Sequence, residues 1–244
     1  MSSPNPDTFQ ERPPAGQAIG WGVRLLHSRL LLVTFAAALM LVLLWWWRPL
    51  MLMPGTQQLV MTGGDPHLRA LMRTISAAES NVMRPYHVLH GGDAVGTLDR
   101  HPNRCEAIGQ GPNRGNCSTA AGRYQLLNAT WSELALRYHP HTRPGLSDAS
   151  GLSFGPAYQD LVVHAWLADA ASWRSDLAAQ LRQGRVKPVL RRLSGTWTSL
   201  GYGIENNSMS RELPGLYQRL LKDELARAAS GETPPSGDEK AAQR

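Results

Sequence analysis

Residues Leu30 to Trp47 read LLLVTFAAALMLVLLWWW, eighteen positions without a charge. No other stretch restricts the chain so strongly. Eighteen helical residues are about the least that crosses the hydrocarbon core of a bilayer. The segment is apolar on every face, so a one-sided core helix does not describe it. Its three closing tryptophans suit a membrane–water interface. Arg24 and Arg29 precede the run, and Arg48 alone follows closely. By the positive-inside rule the N-terminus stays in the cytoplasm and everything after Arg48 crosses. A cleaved signal peptide is the alternative, but the run is long for such a segment and no small-x-small site follows it. The sequence therefore predicts an uncleaved, single-pass inner-membrane anchor with the bulk of the chain in the periplasm.

The anchor divides the 244 residues unequally. Residues 1–29 read as a Pro-rich polar cytoplasmic tail, 30–47 as the anchor and 48–64 as a linker ending in two glycines. Residues 65–229 read as one globular domain, long enough to bury a proper core, and 230–244 as a solvated tail. A net charge of +6 suits anionic lipid, an acidic wall polymer or nucleic acid. With no dense Lys/Arg run and no zinc-type Cys/His spacing, nucleic acid is not expected as a partner. The eight histidines are scattered, and His87 with His90 is only a loop pair, so neither metal nor cofactor is expected.

Within 65–229 the stretch LMRTISAAES raises the first chemical question. Leu68, Leu71, Met72 and Ile75 recur at the spacing of one buried helix face, and Asp65-Pro66 supplies an N-cap and first helical residue. Glu79 falls eleven positions beyond Leu68, three turns further along the same stripe. A carboxyl there meets burial and the negative end of the helix dipole, both of which raise its pKa. Such a group is a candidate proton donor at neutral pH.

From Glu79 to about Arg123 the chain is turn-rich, with room for a short hairpin near Tyr86 to Leu98. Cys105 and Cys117 stand twelve apart in this stretch. In an oxidising compartment they would pair, contributing about 3 kcal/mol by a chain-entropy argument, with two unpaired thiols as the alternative. Further helices are expected from Asn128 or Thr130 through Tyr138, over about 156–171, 173–183 and 186–195, and over 214–228. The sum is an α+β, mainly helical domain with one irregular lobe.

The order of motifs is specific. A helix ends in Glu79; PYHVLHGG and LDRHP follow, then STAAGRYQLLNATW, and much later TWTSLGYG. Over roughly residues 66–228 this resembles the phage-lambda-type lysozymes and lytic transglycosylases, glycoside hydrolase family 104 of the lysozyme-like superfamily. The ungapped run Ser118 to Leu126 carries most of the likeness. The resemblance implies a lysozyme-like, two-lobed domain with a small β-hairpin lobe. It also implies cleavage of the β-1,4 bond between N-acetylmuramic acid and N-acetylglucosamine in peptidoglycan, giving 1,6-anhydro ends. Glu79 matches the family's acid by position.

The resemblance implies Tyr86 and Tyr202 as substrate contacts; Gln125, which with Tyr124 follows a small-residue run, could hydrogen-bond sugar hydroxyls, with Tyr124 packing in the core and Arg123 pairing structurally as the alternative. Asp93, Asp99 and Glu106 lie in the irregular lobe, where acidic residues in turns are ordinary. Asp99 is the candidate second carboxylate should the reaction need one. Ile204 stands where the family has Gln after Tyr-Gly, and Glu205 or Asn206 could take over its part. The expected partners are peptidoglycan glycan strands and the inner membrane, with a secretion or conjugation apparatus as a setting for local wall opening. A hydrolytic phage endolysin carrying a signal anchor is the competing reading, and a non-catalytic wall-binding scaffold another.

Overall fold

In the computed structural model, which describes residues 33–43, 54–109, 111, 113–202 and 208–231, helix α1 (Pro66–Glu79) forms where the spacing places it. The Asp65 side chain accepts from the N–H groups of His67 and Leu68, capping two donors that a helix start leaves open. Leu68, Leu71, Met72 and Ile75 are all buried. Glu79, at the last position, is half-buried. After α1 come β1 (Glu106–Ala107), β2 (Cys117–Ser118), α2 (Asn128–Tyr138), α3 (Pro156–Ala168), α4 (Ala170–Trp173), α5 (Leu177–Arg182), α6 (Val186–Leu193) and α7 (Leu213–Ser230).

Helix α7 packs along α1, and charge sets their register. Arg69 Nε meets Glu224 at 2.6 Å, and Arg73 Nη1 reaches Glu224 at 2.8 Å and Asp223 at 2.5 Å. Glu224 is buried, so these pairs also satisfy a carboxylate that would otherwise be costly to desolvate. Helices α3 and α5 contact other parts of α1, and α2 packs on α3. The helix expected over about 156–171 stops at Ala168. Asp169 then turns its carboxylate onto the N–H groups of Ala171 and Ser172, and α4 begins. Helix α5 starts only at Leu177, capped by Asp176.

The expected hairpin near Tyr86 to Leu98 shrinks to a single bridge, Val88 with Ala94. Leu89 N–H donates to Asp93 at 2.7 Å and Val95 N–H to His87 at 2.9 Å, and the first arm is bonded to a distant segment as well: Gly122 N–H donates to Val88 at 2.8 Å, and His90 N–H to Ala120 at 2.9 Å. The two-stranded sheet lies further on, with β1 antiparallel to β2 and Glu106 opposite Ser118. The Cys105–Cys117 disulfide closes that hairpin, with Cα atoms 5.2 Å apart.

Residues 54–64, the second half of the expected linker, are part of the body. Leu59 and Met61 are buried. A Cβ on Gly55 would come within 2.8 Å of the Ser76 carbonyl, so this strap lies directly on the backbone of α1. Residues 48–53, the tail 1–29 and positions 232–244 lie outside the described residues. The chain divides into two units, Met1–Pro49 and Leu50–Arg244. In the first, residues 33–43 are helical and exposed, while 30–32 and 44–47 of the expected anchor lie outside the described residues. Among the described residues no helix is long and apolar enough to cross a membrane.

Three histidines are built in as neutral acceptors. His101 Nδ1 accepts from Asn103 N–H at 3.1 Å while Nε2 faces the Leu126 carbonyl at 2.8 Å. His139 repeats the arrangement with His141 N–H and the Ser153 carbonyl. His164 Nε2 accepts from Asp65 N–H at 3.2 Å. Burial holds all three below the ordinary histidine range. The unfolded chain therefore takes up protons that the folded chain refuses. Stability present above about pH 6.5 is lost as pH falls from there through the folded pKa values. The urea midpoint is expected to drop between about pH 7 and about pH 5.5; a midpoint constant over that interval would contradict this account.

Candidate active site

The segment Ser118 to Leu126 organises the region around Glu79. Gly122 has φ +73°, and a Cβ there would lie 2.3 Å from Gln159 Oε1 and 2.8 Å from Phe154 Cζ. Only glycine allows this turn and this approach together. The turn sends Arg123 and Tyr124 inward, both fully buried. The Arg123 guanidinium donates to the carbonyls of Gln58 (2.9 Å), Gly55 (3.3 Å) and Gln57, and to Tyr86 Oη at 2.8 Å. Tyr124 Oη donates to Asp160 Oδ1 at 2.6 Å. Asp160 Oδ2 accepts from Tyr86 Oη and Val60 N–H, each at 2.7 Å, and from Met61 N–H at 3.2 Å. Burial first, then the Asp160 carboxylate, push the Tyr86 and Tyr124 phenols well above their ordinary range. Both stay protonated donors at any physiological pH.

Tyr86, expected as a substrate contact, lies inside this network. The side chain is 8% exposed, and its hydroxyl is committed to Asp160 and Arg123. Tyr86 thus joins the interior framework. Gln125, at φ +46°, is half-buried, and its Nε2 donates to the carbonyls of Gly122 at 3.0 Å and Val88 at 3.3 Å. Its amide closes the turn that holds Arg123.

Glu79 sits against the other side of this segment. The next residue, Ser80, donates its hydroxyl to the Arg123 carbonyl at 2.6 Å. The adjacent carbonyl, of Tyr124, accepts from Trp197 Nε1–H at 2.9 Å. From the short 3-10 turn Thr198–Leu200, Ser199 donates its hydroxyl to Glu79 Oε1. Tyr202 follows at φ +68°, 37% exposed, with the Arg191 guanidinium 5.4 Å from its ring centre. Residues 203–207, with Glu205 and Asn206, lie outside the described residues.

Asp99 is exposed on the wall of an open cavity of about 550 Å³, which Arg100, His101 and Arg104 also line. Asp93 is exposed too, while Glu106 pairs with Arg104 at 2.9 Å. Among the described residues no group of three His, Cys, Asp or Glu could hold a metal ion.

Two residues central to this geometry escape a sequence reading. Asp160 falls on the helical stripe of Val163 and Leu167, and the spacing logic that singles out Glu79 would single it out as well. Ser199 carries no local signal, because its partner lies 120 positions away.

The Endolysin family model matches residues 69–221, the greater part of the chain. The chain belongs to the Endolysin family. The matched span begins within α1 and ends within α7, enclosing Glu79, the Ser118–Leu126 segment and Ser199. The strap 54–64 precedes it. Among solved structures, the bacteriophage lambda lysozyme complexed with a chitohexasaccharide is similar at 23% identity and a TM-score of 0.49, over 66% of this chain and 97% of that one. A second structure of lysozyme from bacteriophage lambda gives 22% identity and a TM-score of 0.47, over 67% and 97%. No curated protein matches the chain.

Replacing Tyr86 by Phe separates framework from contact. Loss of a buried hydroxyl that bridges Arg123 and Asp160 is expected to cost roughly 1–3 kcal/mol in chemical denaturation. KM for glycan is expected to stay at its wild-type value, and a raised KM at unchanged stability would restore Tyr86 as a substrate contact.

Proposed function

We propose that the chain is a peptidoglycan lytic enzyme that cleaves the β-1,4 bond between N-acetylmuramic acid and N-acetylglucosamine, with Glu79 as general acid. The observation that carries this reading is the setting of Glu79. A half-buried carboxyl ends a helix whose other stripe positions are core, and the Ser199 hydroxyl holds its Oε1. A glycosidic oxygen leaves poorly unless protonated, so a positioned carboxyl is the first requirement of the reaction.

The finer reading is lytic transglycosylation. The muramic 6-hydroxyl attacks C1 and the C1–O4 bond breaks. Glu79 gives its proton to the departing oxygen, then recovers one from the attacking hydroxyl. No water is consumed, and the new end is a 1,6-anhydro sugar. One carboxyl suffices for this sequence, and Asp99 takes no part in it. The exposed ring of Tyr202 offers a face for a sugar.

We read Leu30 to Trp47 as a single-pass anchor that holds the catalytic body in the periplasm. Residues 33–43 support this, being helical, exposed and free of charge. The Cys105–Cys117 disulfide fits an oxidising compartment. Between the apolar run and the strap that starts at Pro54 only residues 48–53 remain, which span at most about 20 Å when extended. Membership of the Endolysin family favours wall lysis by a phage enzyme over service to a secretion or conjugation apparatus.

Mass spectrometry of peptidoglycan digested with the full-length chain tests the reaction. Released muropeptides are expected to end in 1,6-anhydro sugars, one water lighter than reducing ends. Reducing ends would instead make the enzyme a hydrolase in need of a base such as Asp99. Replacing Glu79 by Gln is expected to slow release roughly 10²- to 10⁴-fold. Retained turnover in that variant would sink the assignment of Glu79.

A further inference from the structure

Ser199 comes from a part of the chain remote from α1, yet its hydroxyl donates to Glu79 Oε1. We propose that Ser199 is the positioning residue of the general acid: its hydroxyl fixes the orientation of the Glu79 carboxyl and assigns the transferable proton to Oε2. This rests on the reading of Glu79 as the acid.

The argument begins with what a glutamate at a helix end otherwise does. Its side chain has three rotatable torsions and keeps that freedom unless something holds it. A serine hydroxyl has one proton to donate. Given to Oε1, it makes that oxygen the acceptor and leaves the carboxylic proton on the other. When the proton departs, negative charge spreads onto Oε1 and the same hydrogen bond becomes charge-assisted. The contact is thus worth more after transfer than before, which is the condition for lowering a barrier.

The surrounding fold shows that the contact is built in. Ser80, adjacent to Glu79, is bonded to the carbonyl of Arg123, while Trp197, two residues before Ser199, is bonded to that of Tyr124. Consecutive peptide carbonyls therefore hold donor and acceptor segments in register. Upstream, Trp197 is buried, its ring 5.4 Å from Trp166 and 6.3 Å from Trp173. Downstream, Leu200 is fully buried. Gly201 has φ +78°, and a Cβ there would overlap Ser210. The turn that carries Ser199 is pinned on both flanks, and the hydroxyl has little freedom to leave Glu79.

Steady-state kinetics of the full-length chain on purified, uncrosslinked peptidoglycan strands test this. Ser199→Ala is expected to lower kcat roughly 10- to 100-fold, the worth of one hydrogen bond to a charged group. KM should stay within about twofold, because a positioning hydroxyl acts through Glu79 and not on the bound glycan. Ser199→Thr keeps the hydroxyl and is expected to recover most of the loss. If the alanine variant melts early, Ser199→Cys, close in size but a poor donor, repeats the measurement. Wild-type kcat in the alanine or cysteine variant, a loss that falls on KM, or a threonine variant as slow as alanine would each overturn the proposal. Glu79→Gln runs alongside. If it is inactive while Ser199→Ala matches wild type, this proposal fails alone. If it turns over normally, the parent reading fails and this one with it.

Discussion

The carboxylate of Asp160 ties together three segments of this fold that are far apart in the chain. Two phenols and two peptide N–H groups point at it, from Tyr86, Tyr124, Val60 and Met61. They come from the strap, the irregular lobe and the Gly122 turn, three segments with little periodic structure of their own. Arg123 completes the arrangement by donating to Tyr86 and to three strap carbonyls. A buried charged network is costly unless each member finds its partners, and satisfied it specifies one arrangement over its competitors. Gln159 extends it, its Oε1 accepting from Arg123 N–H at 2.9 Å and its Nε2 donating to the Tyr86 and Phe154 carbonyls. Apolar packing makes the body dense, while this polar knot decides which loops lie where.

The proposed chemistry is a by-product of that knot. With both side chains of Arg123 and Tyr124 turned inward, their carbonyls remain to receive Ser80 and Trp197. Glu79 and Ser199 are brought together by backbone groups whose own positions Asp160 and Arg123 determine. The Ser118–Leu126 run lies inside the span that the Endolysin family model matches. It is the hub on which Glu79 and Ser199 are assembled, and its Arg123, Tyr124 and Gln125 side chains all bond to the surrounding framework.

What the sequence makes legible follows from the range of the forces involved. Helix α1 has a local signature, an Asp-Pro start and an apolar stripe, and it forms over the expected residues. The break at Asp169 was not legible, since an N-cap inside an apolar run looks like one more helical position. The short hairpin forms where expected, at Val88 and Ala94, but the bonds of its first arm to a segment about thirty residues on are not legible, because period-two patterning over so short a stretch gives no signal. The resemblance alone suggests Tyr86 as a sugar contact, and no local signal announces the remote Asp160 and Arg123 that bury its hydroxyl. The strap reads as linker because it ends in two glycines. Buried Leu59 and Met61 and bonds from its backbone groups to remote side chains order it, and the backbone part of that leaves no trace in residue type.

That strap also decides how the molecule carries a load. A pull on the chain N-terminal to Pro54 reaches the body through residues 54–61, which are held by the Arg123 guanidinium, the Asp160 carboxylate and, on α1, the side chains of Arg73 and Ser76. These bonds resist together, across the strap, and the force passes into α1, α3 and the Gly122 turn. If the strap peeled away, Arg123 would lose its carbonyl acceptors and the turn beneath Glu79 would lose its lock. Tension on the N-terminal side would thus load α1 and the Gly122 turn together, the two segments between which Glu79 is held.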